Sequence, residues 1–102
     1  MSSIIRGTTP TIKYTFETVR PSDIAVAYLT AKQNGATKFE KSLSDATVGT
    51  NYIAWILTQE ETLALSPVMA SFMCNWKKSD GTRGASKEFC ANVLNNHKAE
   101  VI

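Results

Sequence analysis

Asn34-Gly35 and Asp80-Gly81 each stand between stretches in which apolar and polar residues alternate. Tight antiparallel hairpins need positive φ angles that most residues adopt only at a cost, and these dipeptides supply them. Two such signals in a chain of 102 residues, without a long amphipathic helix, predict an all-β domain. A chain of this length buries roughly two-thirds of its unfolded surface. With 43% hydrophobic residues it holds enough apolar material for one core, so residues 1–102 read as a single domain.

The strands follow from the alternation. Thr11–Val19 places Ile12, Tyr14 and Phe16 on one face and Thr11, Lys13 and Thr15 on the other. Arg20-Pro21-Ser22-Asp23 interrupts the pattern with turn-forming residues. Ile24–Gln33 is apolar on both faces in its first half, which suits a central strand covered on both sides. Beyond Asn34-Gly35, Ala36–Leu43 carries Thr37 and Phe39 on one face and Lys38 and Glu40 on the other. Lys38, Glu40 and Lys41 are expected to guard a sheet edge.

Ser44–Asn51 reads as a loop, and Tyr52–Thr58 as a strand with Ile53, Trp55 and Leu57 on one face. Thr58-Gln59-Glu60-Glu61 has the form of a capping box that opens one helical turn through Leu65, closed by Ser66-Pro67. Ala70–Lys78 aligns Phe72, Cys74 and Trp76. Asp80–Gly84 then turns the chain back into Ala85–Leu94, with Phe89, Ala91 and Val93 facing inward. Six strands, with short pieces at Ile4-Ile5 and at Val101-Ile102, predict a two-layer antiparallel sandwich; a small barrel is the alternative.

Chemistry is far less visible. His97 is the only histidine and lies in a polar segment, so no Ser-His-Asp or Cys-His arrangement is marked. Cys74, Cys90 and His97 lack the paired spacing of a zinc site, and no calcium-loop or phosphate-loop pattern occurs. No cofactor, metal or catalytic residue is therefore expected, and the chain reads as a non-enzyme. The two cysteines are expected as reduced thiols. A hairpin centred near Thr82 would set them opposite one another, a placement that suits disulfide geometry poorly.

The net charge of +2 is too small to make nucleic acid or an acidic membrane the default partner. Met1–Arg6 has no secretory leader pattern, which places synthesis and folding in a cytoplasm. Lys77, Lys78, Arg83 and Lys87 cluster around the second hairpin, and Lys38 and Glu40 mark the edge strand. Tyr28 and Tyr52, on the outer faces of their strands, are the aromatic binding candidates, with the loop Ser44–Asn51 beside them. Trp55 and Trp76 are assigned to the core.

Four phrases carry a resemblance: Ile5-Arg-Gly-Thr-Thr-Pro-Thr-Ile12, Ile24–Gln33 with its Asn-Gly turn and Glu40-Lys41, Trp55-x-Leu-Thr-Gln-Glu-Glu-Thr-Leu63, and Asn75-Trp with Asp80-Gly81 and Ala85-Ser86. In that order the chain resembles small prophage-encoded proteins of Gram-positive bacteria. Its layout is similar to the immunoglobulin-like N-terminal domain of phage baseplate upper proteins. That resemblance implies an immunoglobulin-like sandwich and a tail-associated structural role, docking on other phage proteins or on itself. It implies a chain made in the bacterial cytoplasm and assembled into a virion. The second functional expectation is a small carbohydrate- or ligand-binding module.

Overall fold

The computed structural model describes residues Ser2–Ile102. It is an immunoglobulin-like β-sandwich of nine strands: β1 Ser2–Ile5, β2 Thr11–Thr15, β3 Ile24–Gln33, β4 Ala36–Ser42, β5 Ala46–Val48, β6 Tyr52–Ile56, β7 Met69–Lys78, β8 Arg83–Ala85 and β9 Phe89–Leu94. One layer has the order β1-β9-β7-β3-β4, with β8 also paired to β7; the other is β2-β6-β5. Pairing is antiparallel except for β1 on β9. Helix α1, Gln59–Leu63, follows β6. No helix among the described residues is long and apolar enough to cross a membrane.

The two hairpins solve their turns differently. Asn34 and Gly35 take φ values of 51° and 80°, the two positive angles of a two-residue loop between Gln33 and Ala36. In the second, only Gly81 is positive, at 92°. The Lys78 amide donates to the Thr82 carbonyl and the Thr82 amide to Asp80 Oδ1. The loop is thus Ser79-Asp80-Gly81, a type I turn closed by a left-handed glycine.

That shorter loop corrects the cysteine geometry. The hairpin centres on Asp80 rather than Thr82, so Cys90 lies opposite Ser71 and Cys74 sits beside Ser86. Cys74 points into the sandwich with Phe72, whereas Cys90 lies in the opposite phase from the inward Ala91 and Val93. The two sulfurs occupy opposite faces of one layer, and both are free.

Alternation also fails locally at Lys38. The register between β3 and β4 slips between Ala31 and Lys32, leaving Lys38 as an extra residue. Thr37 and Phe39 therefore face opposite ways, and Lys41 turns inward beside Leu29. Lys41 is buried and ion-paired with Glu61 Oε1 at 2.8 Å, so it guards no edge. Glu40 stays outside and accepts a hydrogen bond from Thr30. The outer face of β3 is likewise uncovered among the described residues: Val26 and Tyr28 are exposed.

The capping box forms as expected. Glu61 N–H donates to Thr58 Oγ1 at 3.1 Å, and Glu61 Oε1 accepts from the Thr58 amide at 2.8 Å. The same oxygen accepts from Lys41, so one carboxylate ties α1 to the edge strand β4. Nearby, the buried Gln33 side chain donates to the Ser66 carbonyl and accepts from the Ser66 amide, fixing the chain after the helix. Across the layers, Trp55 Nε1 donates to the Ser42 carbonyl at 2.9 Å, and the indole is fully buried.

These contacts separate two variants at the ion pair. Glu61→Gln keeps a cap acceptor but strands the Lys41 ammonium in a buried position, at a cost of about 3 kcal/mol, the low end for a broken buried pair. Lys41→Met removes the buried charge and costs less than about 1 kcal/mol. Urea unfolding of the two proteins checks the order.

Candidate functional site

The sandwich is clamped on its β4–β5–α1 side and open on the other. There, a cleft of about 690 Å³ separates β2 from the β8–β9 connection. One wall is continuous, Thr11–Val19; the other consists of Trp76, Ser86, Lys87, Glu88 and Phe89. That volume falls within the range of small-molecule sites.

Each side chain in the cleft has a local cause. Tyr14 and Phe16 are on the inward phase of β2, continuing the line of Ile12. Beyond Thr15 the strand ends, although the Phe16 amide still donates to the Asn51 carbonyl. Phe16 meets Trp76 edge-on at 5.0 Å and 87°. Tyr14 meets the buried Trp55 edge-on at 6.4 Å, and Phe89 tilts against Phe72 at 6.0 Å. Trp76 lies across Gly84, where a Cβ would fall 2.6 Å from the indole, so only glycine permits the approach.

The far wall exists because the expected strand Ala85–Leu94 is broken. β8 pairs with β7 through Asn75↔Ala85, and β9 resumes at Phe72↔Phe89 with the register moved by one residue. Ser86 substitutes for the missing ladder. Its amide donates to the Cys74 carbonyl, its hydroxyl accepts from the Cys74 amide, and that hydroxyl donates to the Lys87 carbonyl.

At the floor the Tyr14 hydroxyl is buried and makes no hydrogen bond. Burial pushes its pKa up to about 12; the nearby Ser86 hydroxyl tempers the rise without reaching bonding geometry, and Cys74 adds to it. Cys74, buried alongside, is pushed up to about 12 by burial. Both groups are therefore neutral at physiological pH. The charged lining residues balance, with Lys13 and Lys87 against Glu17 and Glu88.

The residues anticipated as sites are scattered. Tyr28 is on the outer face of the five-strand path, while Tyr52 is on the outer face of the other layer, stacked beneath Lys13 Nζ at 4.3 Å and against Gly49. They form no common platform. The loop Ser44–Asn51 contains β5, three residues long and too short for its period to show. Lys77 and Arg83 do meet, directly opposite each other, with Lys78 adjacent. Lys87 is drawn away into the cleft, Lys38 occupies the β4 bulge, and Glu40 lines a second depression of about 470 Å³ on the outer face with Lys32 and Glu88. His97 is exposed. Among the described residues, no three His, Cys, Asp or Glu side chains converge to hold a metal ion.

Trp76 is the residue whose reading changes most. It shares the apolar stripe of Phe72 and Cys74, yet it is only half-buried, because the layers diverge at its end of β7. The convergence of Tyr14, Phe16, Trp76 and Phe89 was hidden for the same reason. Each looks like core on its own strand, and only the layer arrangement opens them to solvent.

No family model and no curated protein matches the chain. The crystal structure of CopC from Methylosinus trichosporium OB3b is similar, with a TM-score of 0.58 and 12% sequence identity, covering 96% of this chain and 89% of that one. The likeness describes the shared sandwich fold. It also corrects the expectation of a phage structural docking domain: over nearly the whole chain, the fold likeness found is to CopC.

The pKa shifts fix the sign of a pH dependence. Both groups are neutral acids whose folded pKa exceeds the unfolded value of 9.0 for Cys74 and 10.0 for Tyr14. Their contribution is fully present below about pH 9 and is lost as pH rises toward 12. Urea midpoints should fall steadily between about pH 9 and pH 11. Cys74→Ala should flatten the first part of that fall and Tyr14→Phe the second.

Proposed function

We propose that the protein is a non-catalytic binding module that holds an uncharged ligand with a flat apolar body in the cleft between its layers. The observation that carries this reading is the convergence of Tyr14, Phe16, Trp76 and Phe89 on one 690 Å³ space. Aromatic rings bury large area at small entropic cost and accept flat groups face-on or edge-on. The Tyr14 ring lines the same space, while its hydroxyl is covered and lies out of reach of an occupant. Lys13 reaches over Tyr52 and Glu88 accepts from Cys90 on the outer face, so the charges left to the rim, Lys87 and Glu17, cancel and favour no net charge on the occupant.

An uncharged flat amide, 2-naphthamide, is a suitable probe. Titrated into isotope-labelled protein, it should shift amide resonances of residues 11–19 and 86–89 together. Trp76→Leu should weaken binding by about tenfold or more, as truncation of a central aromatic anchor does. Tyr14→Phe should change it by less than about threefold, while leaving the free protein as stable or slightly more stable, since a buried unbonded hydroxyl is removed. Shifts confined elsewhere, or absent at millimolar probe, end the proposal.

A further inference from the structure

The cleft has a second recognition element that its aromatic floor does not use. Among the described residues β2 is an edge strand, paired only with β6. Its register runs Thr11↔Ile56 to Thr15↔Tyr52, and the hydrogen bonds at the two ends establish which residues face the partner. The Phe16 amide donates to Asn51, and the Leu57 amide donates to Pro10. In an antiparallel pair the hydrogen-bonded positions alternate, so Pro10, Ile12, Tyr14 and Phe16 turn their backbone groups toward β6. Thr11, Lys13 and Thr15 therefore turn theirs the other way, to the free edge. That edge forms the wall of the cleft, which is lined by these three residues as well as by Ile12, Tyr14 and Phe16.

Resting on the binding-module reading above, we propose that the ligand class is an extended, uncharged peptide segment that lies along β2 and adds a strand to the β2-β6-β5 layer. Three residues of unpaired donors and acceptors, spaced about 6.8 Å apart, match the alternate residues of one extended chain. Main-chain pairing of this kind supplies affinity, and pockets under alternate side chains supply selection. Here the side chains on the core-facing side of the added strand would fall toward Phe16, Trp76 and Phe89. The intervening side chains would point to solvent, in line with Thr11, Lys13 and Thr15. The cancelling pair Lys87 and Glu17 at the rim matches a segment without net charge.

The test uses the full chain and a panel of capped synthetic hexapeptides in which an aromatic or β-branched residue alternates with threonine. Each is made unmodified and in two N-methylated forms, one at the odd and one at the even amides. The expected result is binding that shifts the amides of Thr11, Lys13 and Thr15. One methylated set should lose at least about tenfold in affinity and the other far less, because only alternate N–H groups face β2. Equal loss from both sets, or loss from neither, overturns the strand-addition proposal. Binding of 2-naphthamide without binding of any peptide overturns it too, while leaving the cleft as a small-ligand site. Failure of both probes removes both readings.

Discussion

The buried Trp55 indole holds the two layers at a fixed separation on one side of the molecule. Its ring fills the centre of the core, and its single N–H reaches the Ser42 carbonyl where β4 leaves its sheet. A buried indole that lacked this acceptor would carry the cost of an unmade hydrogen bond. Around it, Lys41–Glu61 and Gln33–Ser66 bind the helical turn and the chain beyond it to the same side. The opposite side has rings in edge contact and, among the described residues, no such polar closure. The sandwich is consequently wedge-shaped in its interactions, tight where charges and amides cross between layers and parted where only aromatic edges meet.

The parted side is also where the chain carries its least comfortable groups. The Tyr14 phenol is deprived of a partner and Cys74 is buried with a thiol far from ionisation. A buried hydroxyl without a partner carries a local cost in stability. The free β2 edge is a comparable cost of a different kind, since exposed strand edges invite unwanted pairing.

Much of the fold was legible because local signals and burial agree. β3 appears with the bounds that the alternation and the Asn-Gly turn give it, and the capping box at Thr58 and Glu61 forms as its spacing requires. Errors fell where one residue is inserted. The extra residue at Lys38 reverses the phase of β4 and buries Lys41, and no composition signal announces a bulge. The three-residue loop at Asp80 moves the hairpin centre by two positions, which displaces Cys90 from Cys74. The cleft was illegible for another reason. Phe16, Trp76 and Phe89 lie on inward stripes, and inward means buried only where the facing layer is close enough to cover them.

The connection between β8 and β9 has a consequence for what the chain can tolerate. Ser86 belongs to the phase of Gly84, while Phe89, Ala91 and Val93 belong to the next, because one residue has been gained between them. Substituting within Ser86–Glu88 leaves that extra residue in place; removing a single residue takes it away. A one-residue deletion would bring Phe89 to the position that the unbroken β7–β8 register sets opposite Phe72, so β9 would keep its inward face and β1 its pairing, while the ladder ran straight through the far wall of the cleft. Length in this short stretch decides whether that wall exists at all.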